Sequence, residues 1–346
     1  MKLKKFKKLS IIITFLFLIT NFIDIAIAKK VDLKKYPLGA TDIQALGGGA
    51  CGAPSYIAYE KGFFADEGLD VTLVSGTFET QKAGLASGKY AVTNGDFQFF
   101  PSVNEGLDIK IIGGLHQGCI KLLVPKNSNI TKPEDLAGKR IGVDEIGGTP
   151  MAITSVVLAN ANINPTTGVT WLPYPLDQLG NVAEKGEIDA LAAWDPFGTL
   201  YEKQGYRVLV DIGTHPLFAG KYCCFLYAST KQIKQNPKKV AAILRAYQKA
   251  QEWIAANPEE TARIIVEREY IPGEDPILTA ELLKSYNYGH KNHASASNNA
   301  KEDAQYFVEQ LKKTGYLPTN LDTKNFVDKL YYDVLGDDKH SIGRHK

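Results

Sequence analysis

Four cysteines and one histidine are the residues whose chemistry stands out in this chain. Cys51 follows the run Gly47-Gly48-Gly49, His116 precedes Cys119 by three residues, and Cys223 and Cys224 are adjacent. Thiolates bind soft metals and metalloids and attack thiol-reactive solutes, and imidazole suits several of the same metals. A plainer reading is available too: free cysteine is among the most buried residue types, and four cysteines also allow a structural disulfide. A bond between Cys223 and Cys224 would close a strained ring. Successive strand residues face opposite sides, so one of that pair would face any given site. Cys51, Cys119, Cys223 and Cys224 are the candidates for a metal, although neither a resident metal nor a cofactor is expected.

The remaining chemistry is carboxylate and backbone. Open α/β sheets bind ligands beyond the carboxyl ends of their strands. The corresponding loops are residues 47–53, 75–80, 94–98, 144–149 and Trp194-Asp195. They carry Glu79, Asp96, Asp144, Glu145 and Asp195, with no Lys or Arg. A strong anion would be repelled there unless backbone dipoles outweighed the carboxylates, so a zwitterion, a neutral heterocycle or a metal-bearing species fits better. Several of these carboxylates could instead face solvent, their usual fate. Gly148-Thr149-Pro150 reads as a helix start, with Thr149 as the capping residue and Pro150 at the first helical position. Its free N–H groups could meet an anionic group, or Thr149 could simply cap its own helix. No catalytic set is expected. The candidate ligand-binding residues are Cys51, Gly52, Thr77, Glu79, Asp96, Gln98, His116, Cys119, Gly148, Thr149, Trp194, Asp195 and Cys223.

Other motifs are weak. Gly47, Gly49 and Gly52 spell G-x-G-x-x-G, but the acidic partner such a dinucleotide site needs is misplaced, since Asp70 precedes its strand. His290 and His293 have ligand-like spacing without an acidic or cysteine partner between them, which suits a solvated loop. No G-x-S-x-G, P-loop or H-E-x-x-H is present.

Strand-like and helix-like stretches must position these residues, and they alternate from residue 40 to about residue 230. Strands are predicted at 43–46, 71–74, 90–93, 109–112, 141–143, 171–174 and 190–194. Helices are predicted at 54–61, 80–87, from Pro150 to about 161, and after Asp177 as a cap. That rhythm argues for parallel-rich sheets with helices on their faces. From Pro237 the pattern becomes helical, with helices over 237–255, 259–268, 301–313 and 324–334, a polar loop at 289–299, and a polar tail. Two α/β units with a helical ending suggest two lobes, the first completed by the chain's later part. The crossings fall near residues 118–122 and 222–226. The boundaries are residues 29–118 with 226–346 for one lobe, and 119–225 for the other.

Composition is that of an ordinary globular protein: 346 residues, 44% hydrophobic and 23% charged. The first 28 residues read as an export address. Five lysines lie within the first eight residues, an apolar run covers 9–23, and Ala26-Ile27-Ala28 offers a cleavage site. Asp24 cuts the apolar run short of a membrane span. Removing these residues takes away five lysines and one aspartate, which turns the formal net charge from +2 to −2. The basic balance that might have suggested nucleic acid goes with them. The exported product would be periplasmic and a monomer, with no nucleic-acid partner.

Several stretches resemble the substrate-binding proteins of ABC importers, in the branch that takes up nitrate, sulfonates, taurine and pyrimidine precursors. Pro54-Ser55-Tyr56-Ile57-Ala58-Tyr59-Glu60-Lys61-Gly62-Phe63-Phe64 and Glu67-Gly68-Leu69-Asp70-Val71 are similar to the family's opening signature. Leu85-Ala86-Ser87-Gly88 with Asn94-Gly95-Asp96, Leu136-Ala137-Gly138-Lys139-Arg140-Ile141-Gly142-Val143, and Lys185-Gly186-Glu187-Ile188-Asp189-Ala190 with Trp194-Asp195-Pro196 extend the likeness. It implies a two-lobed periplasmic-binding-protein fold of the α/β class, closing at two hinge crossings on a small solute. It further implies delivery to a membrane permease and its ATPase. It would also place all four cysteines near the floor of the cleft. Cys223-Cys224-Phe225 separately resembles the cysteine motif of pyrimidine synthases of thiamine biosynthesis, which is associated there with iron. Those enzymes need a histidine and a lysine after the second helix, and residues 90–103 contain neither.

Overall fold

Short apolar runs rich in Val, Ile and Leu, punctuated by glycine, become strands here, and the longer amphipathic runs between them become helices. A computed structural model describes residues 31–45, 49–271, 275–288 and 293–336, with the side chains of 293–299 left out of the description. The export address at 1–28, Gly47, His290 and the tail beyond 336 lie outside the described residues. So do residues 289–292 of the expected polar loop. The rest of that stretch is helical, because the amphipathic helix expected from Lys301 starts earlier and runs His293–Lys313.

The described residues hold ten strands: β1 (Ala40–Gln44), β2 (Asp70–Val74), β3 (Val92–Asp96), β4 (Ile109–His116), β5 (Ile120–Val124), β6 (Arg140–Val143), β7 (Thr170–Pro173), β8 (Ala190–Trp194), β9 (Arg207–Asp211) and β10 (Cys224–Ser229). They form a two-stranded sheet β1-β2, a three-stranded sheet β3-β10-β4 and a five-stranded sheet β7-β6-β8-β5-β9. Pairing is parallel at β1–β2, β6–β7 and β6–β8. It is antiparallel wherever β5 or β10 takes part, and these are the strands that begin just after the chain passes between the two larger sheets. Gln117, Gly118 and Cys119 make the first passage. Residues 212–223 make the second.

Strand alternation decides which core each residue joins. In β8, Ala190 and Ala192 belong to the main buried cluster, whereas Leu191 and Ala193 face a smaller cluster with Leu123, Leu179, Ile188, Tyr201 and Tyr206. Helices cover both faces of this sheet. Asp177 does not cap the next helix; it sits in a 3-10 turn, Leu176–Gln178, ahead of the helix Leu179–Glu184. The long helix Pro237–Ala256 buries Val240, Ile243, Leu244, Tyr247 and Ile254 along one stripe, as its 3.6-residue period predicts. Among the described residues, no helix is long and apolar enough to cross a membrane.

Candidate functional site

A cavity of about 290 Å³ opens between the strand ends of the two larger sheets. Its wall is built from the places where chains leave their strands. Gly49 and Cys51 lie beyond β1, Asp96 ends β3, Asp144 and Glu145 follow β6, and Trp194 ends β8. Cys224 joins them by register. β10 runs antiparallel to β3 and β4, so its first residue, Cys224, lies opposite the last residues of both, Asp96 and His116. Gly95 permits this floor to be flat, because a Cβ there would lie 2.5 Å from Cε2 of Phe99.

The wall is acidic and aromatic. Asp96, Asp144, Glu145 and Asp195 contribute carboxylates, and Phe78, Trp194 and Phe197 contribute ring surface. Among the described residues, no lysine, arginine or histidine lines it. The nearby ammonium of Lys121 is engaged elsewhere, with Thr199 Oγ1 at 2.8 Å and Glu202 at 2.6 Å. Three buried acceptors on lining residues have no hydrogen-bond partner: Gln81 Oε1, Asn94 Oδ1 and Asp144 Oδ1.

Burial raises the lining carboxyls. Asp96 is pushed up to about 6, although the Gln98 N–H and the Thr149 hydroxyl both donate to its Oδ1 and pull the other way. Asp195 is also pushed up to about 6 by burial, against the attraction of Lys121 and donation from Thr199. Asp144 is raised by burial too, opposed by the Trp194 indole N–H at 2.9 Å.

Of the residues singled out from the sequence, Cys51, Asp96, Gln98, Trp194 and Asp195 line the cavity. Thr149 stands directly behind the wall, holding Asp96. It is not the capping residue; Gly148 takes that position without a side-chain bond, and Pro150 is the second helical residue. As the first helical residue Thr149 lies past the capping position, and its buried hydroxyl donates to the carboxylate. Thr77 and Glu79 fall outside the wall. Thr77 spends its hydroxyl on the capping box of the helix Phe78–Ser87, and Glu79 pairs with Lys82 at 2.8 Å on the exposed side. The residue between them, Phe78, faces the cavity, because successive helix residues point about 100° apart. Gly52 packs against the ring of Tyr56 instead of the cavity.

One member of the cysteine pair reaches the cavity, and it is Cys224, not the Cys223 named from the sequence. Cys224 lines the cavity, and Cys223 lies behind it with His116 and Cys119. Cys223 precedes β10, so strand alternation does not govern it, and its Sγ stays 3.8 Å from that of Cys224. All four cysteines are free thiols. Burial pushes the Cys119 thiol well up. The sequence did not single out Gln81 or Phe197 as site residues. Phe78 and Gln81, three apart on one helix face, carried the signal for Gln81.

An antiparallel three-stranded sheet and a mixed five-stranded sheet joined by two passages, with a cavity at the strand ends between them, define the fold of the periplasmic binding proteins. Similarity to solved structures agrees: the periplasmic nitrate-binding protein NrtA from Synechocystis PCC 6803 superposes with a TM-score of 0.69 and 20% identity, covering 86% of this chain and 87% of that one. The family model described as NMT1/THI5 like matches residues 52–261, and the chain belongs to that family. A Bacillus subtilis (strain 168) protein named for aliphatic-sulfonate binding is 29% identical over 222 residues, which cover 61% of this chain and 64% of that protein. The nitrate/nitrite-binding protein NrtA of Nostoc sp. (strain PCC 7120) is 24% identical over 347 residues, covering 89% of this chain and 77% of the other.

Proposed function

We propose that the protein is the exported solute-binding component of an ABC importer, and that it captures a small organic solute bearing an amine or an N–H-rich heterocycle. The observation that carries this reading is the wall itself: four carboxylates, three unpartnered buried acceptors and no cationic side chain among the described lining residues. Buried acceptors without partners are costly, and a ligand that donates hydrogen bonds removes that cost. Nitrate or a sulfonate, named for relatives, would bring only acceptors and negative charge to the same wall. An amine-bearing zwitterion keeps a place if its acidic end points out of the cavity.

In this reading residues 29–118 with 226–346 form one lobe and 119–225 the other. The passages at 117–119 and 212–223 act as hinges, and the closed form is handed to a membrane permease and its ATPase. The protein would be a monomer in the periplasm after loss of residues 1–28. An enzymatic role as in pyrimidine synthesis is not favoured. The stretch after the helix Phe78–Ser87 brings Asn94, Asp96 and Gln98 to the cavity, none of them a group that could bind pyridoxal phosphate as an imine.

Isothermal titration calorimetry against a panel of small amines, aminopyrimidines, taurine, alkanesulfonates and nitrate tests this reading. Binding of an amine or aminoheterocycle at least ten times tighter than nitrate or an alkanesulfonate is expected. Tighter binding of either oxoanion would overturn the substrate class. The hinge mechanism predicts a smaller radius of gyration at saturation by small-angle X-ray scattering, and no change on binding counts against it.

A further inference from the structure

At the cavity wall and just behind it, three sulfurs and one imidazole converge, and the solute reading above calls on none of them. Sγ of Cys51, Cys119 and Cys224 and a ring nitrogen of His116 all lie within 4.8 Å of one another. We propose that these four residues form a tetrahedral site for a thiophilic divalent ion of the zinc class. The inference does not depend on what the cavity captures.

Donor spacing is the first argument. A zinc–sulfur bond of about 2.3 Å sets the edges of a tetrahedral S₃N site near ~3.8 Å. The cluster is therefore within about an ångström of a bound geometry at its widest pair. The three thiols are not joined as disulfides.

The second argument is the histidine. His116 is wholly buried, its Nδ1 lies 3.2 Å from the carbonyl oxygen of Gln117, and its Nε2 has no hydrogen-bond partner. A carbonyl can only accept, so Nδ1 is the protonated nitrogen of the neutral ring, and Nε2 is the one available to ligate. Metal-binding histidines are commonly held by such an outer hydrogen bond, which fixes both tautomer and ring direction. The ring is further fixed by Tyr286, stacked at 4.8 Å with planes 17° apart, and by Tyr288 at 5.7 Å. The Tyr288 hydroxyl also donates to the carbonyl of Ala50, 3.2 Å away, and so tethers the turn that bears Cys51.

Cys223 has a different place. Its thiol donates to the Gly118 carbonyl at 2.7 Å, with Cys119 Sγ at 3.7 Å and Cys224 Sγ at 3.8 Å. It supports the sulfur cluster from outside the ligand set. An ion would enter from the cavity, since Cys51 and Cys224 belong to its wall while His116 and Cys119 are buried behind them. Once bound, it would tie the turn Ala50–Gly52, the end of β4, the first passage and the start of β10 into one unit.

The test uses the full chain, purified in reductant, stripped with chelator and titrated with Co(II) as a spectroscopic probe for zinc. We expect one Co(II) per chain, thiolate-to-cobalt charge-transfer bands, the intense visible bands of a tetrahedral ion, and displacement by Zn(II). Cys51→Ser, at the half-exposed position, is expected to weaken binding by at least about tenfold with its circular dichroism unchanged. Cys223→Ser should keep all the bands. An octahedral cobalt spectrum without charge transfer overturns the site, as does failure of zinc to displace cobalt. Loss of binding in Cys223→Ser with retention in Cys51→Ser overturns the ligand assignment. Because the probe is the metal alone, any of these failures leaves the solute proposal standing.

Discussion

The hydroxyl of Thr149 donates to Oδ1 of Asp96 across 2.8 Å, and both residues are buried. Asp96 ends β3 of the three-stranded sheet, and Thr149 begins the helix that follows β6 of the five-stranded sheet. One hydrogen bond to a carboxylate therefore spans the two sides of the cavity. Nearby, Gln98 Nε2 approaches Glu145 at 3.4 Å across the same gap.

Thr149→Val keeps the volume and removes this bond. A hydrogen bond to a charged group contributes about 1.5–3 kcal/mol. The variant should bind solute roughly tenfold or more weakly and scatter as a more open particle without ligand. Calorimetry and small-angle scattering check this, and an unchanged affinity would show that the bond does not support closure.

Solute binding should depend on pH through Asp96 and Asp195, both at about 6 in the folded protein. Below pH 6 they are protonated and neutral, so an amine should bind more weakly at pH 5 than at pH 7. Stability moves the other way. These groups hold protons more tightly when folded than in the unfolded chain, where a carboxyl of this kind titrates near 3.8. Between about pH 4 and pH 6 the folded state binds more protons, and their contribution to stability falls as pH rises through that window. Calorimetry at the two pH values, alongside melting curves of the ligand-free protein with Asp195→Asn as control, reads both effects.

Trp194 supplies a built-in probe. Of the three tryptophans, it lines the cavity, with its indole N–H held by Asp144, while Trp171 and Trp253 lie elsewhere. Saturating solute should change the intrinsic emission, and Trp194→Phe should abolish most of that change while leaving the fold intact. Persistence of the full change in this variant would place the solute away from this wall.

Gly95→Ala tests the packing beneath the floor. The added methyl would lie 2.5 Å from one Phe99 ring carbon and 3.3 Å from Tyr227. Overpacking of a buried site costs about 1–3 kcal/mol. A lowered melting temperature with weakened solute binding is expected.

Much of the architecture was legible along the chain. The helix predicted over 80–87 ends where expected, closed by Gly88 at φ +79. The carboxyl-end rule located the loops that build the cavity, and the absence of basic residues from them carried through to the wall. Errors arose where a residue had two possible partners. Thr149 was read as a capping residue and Thr77 as a ligand contact, yet Thr77 caps its helix and Thr149 reaches across to Asp96. The outcome depends on which distant group the rest of the fold brings to the hydroxyl, which neighbouring residues do not encode.

The cysteines draw the same line. The sequence by itself determined seven of the ten strands, most of the long helices and the acidic character of the site, while the gathering of the thiols near the cleft was implied by the family resemblance. The strands, helices and charge follow from local period and turn residues, each set by residues close in the chain. Only the tertiary structure decided that Cys224, not Cys223, faces the cavity, and that Cys51, His116, Cys119 and Cys224 meet within 4.8 Å. That outcome rests on the antiparallel return of β10 between β3 and β4, a register that its long-range partners fix.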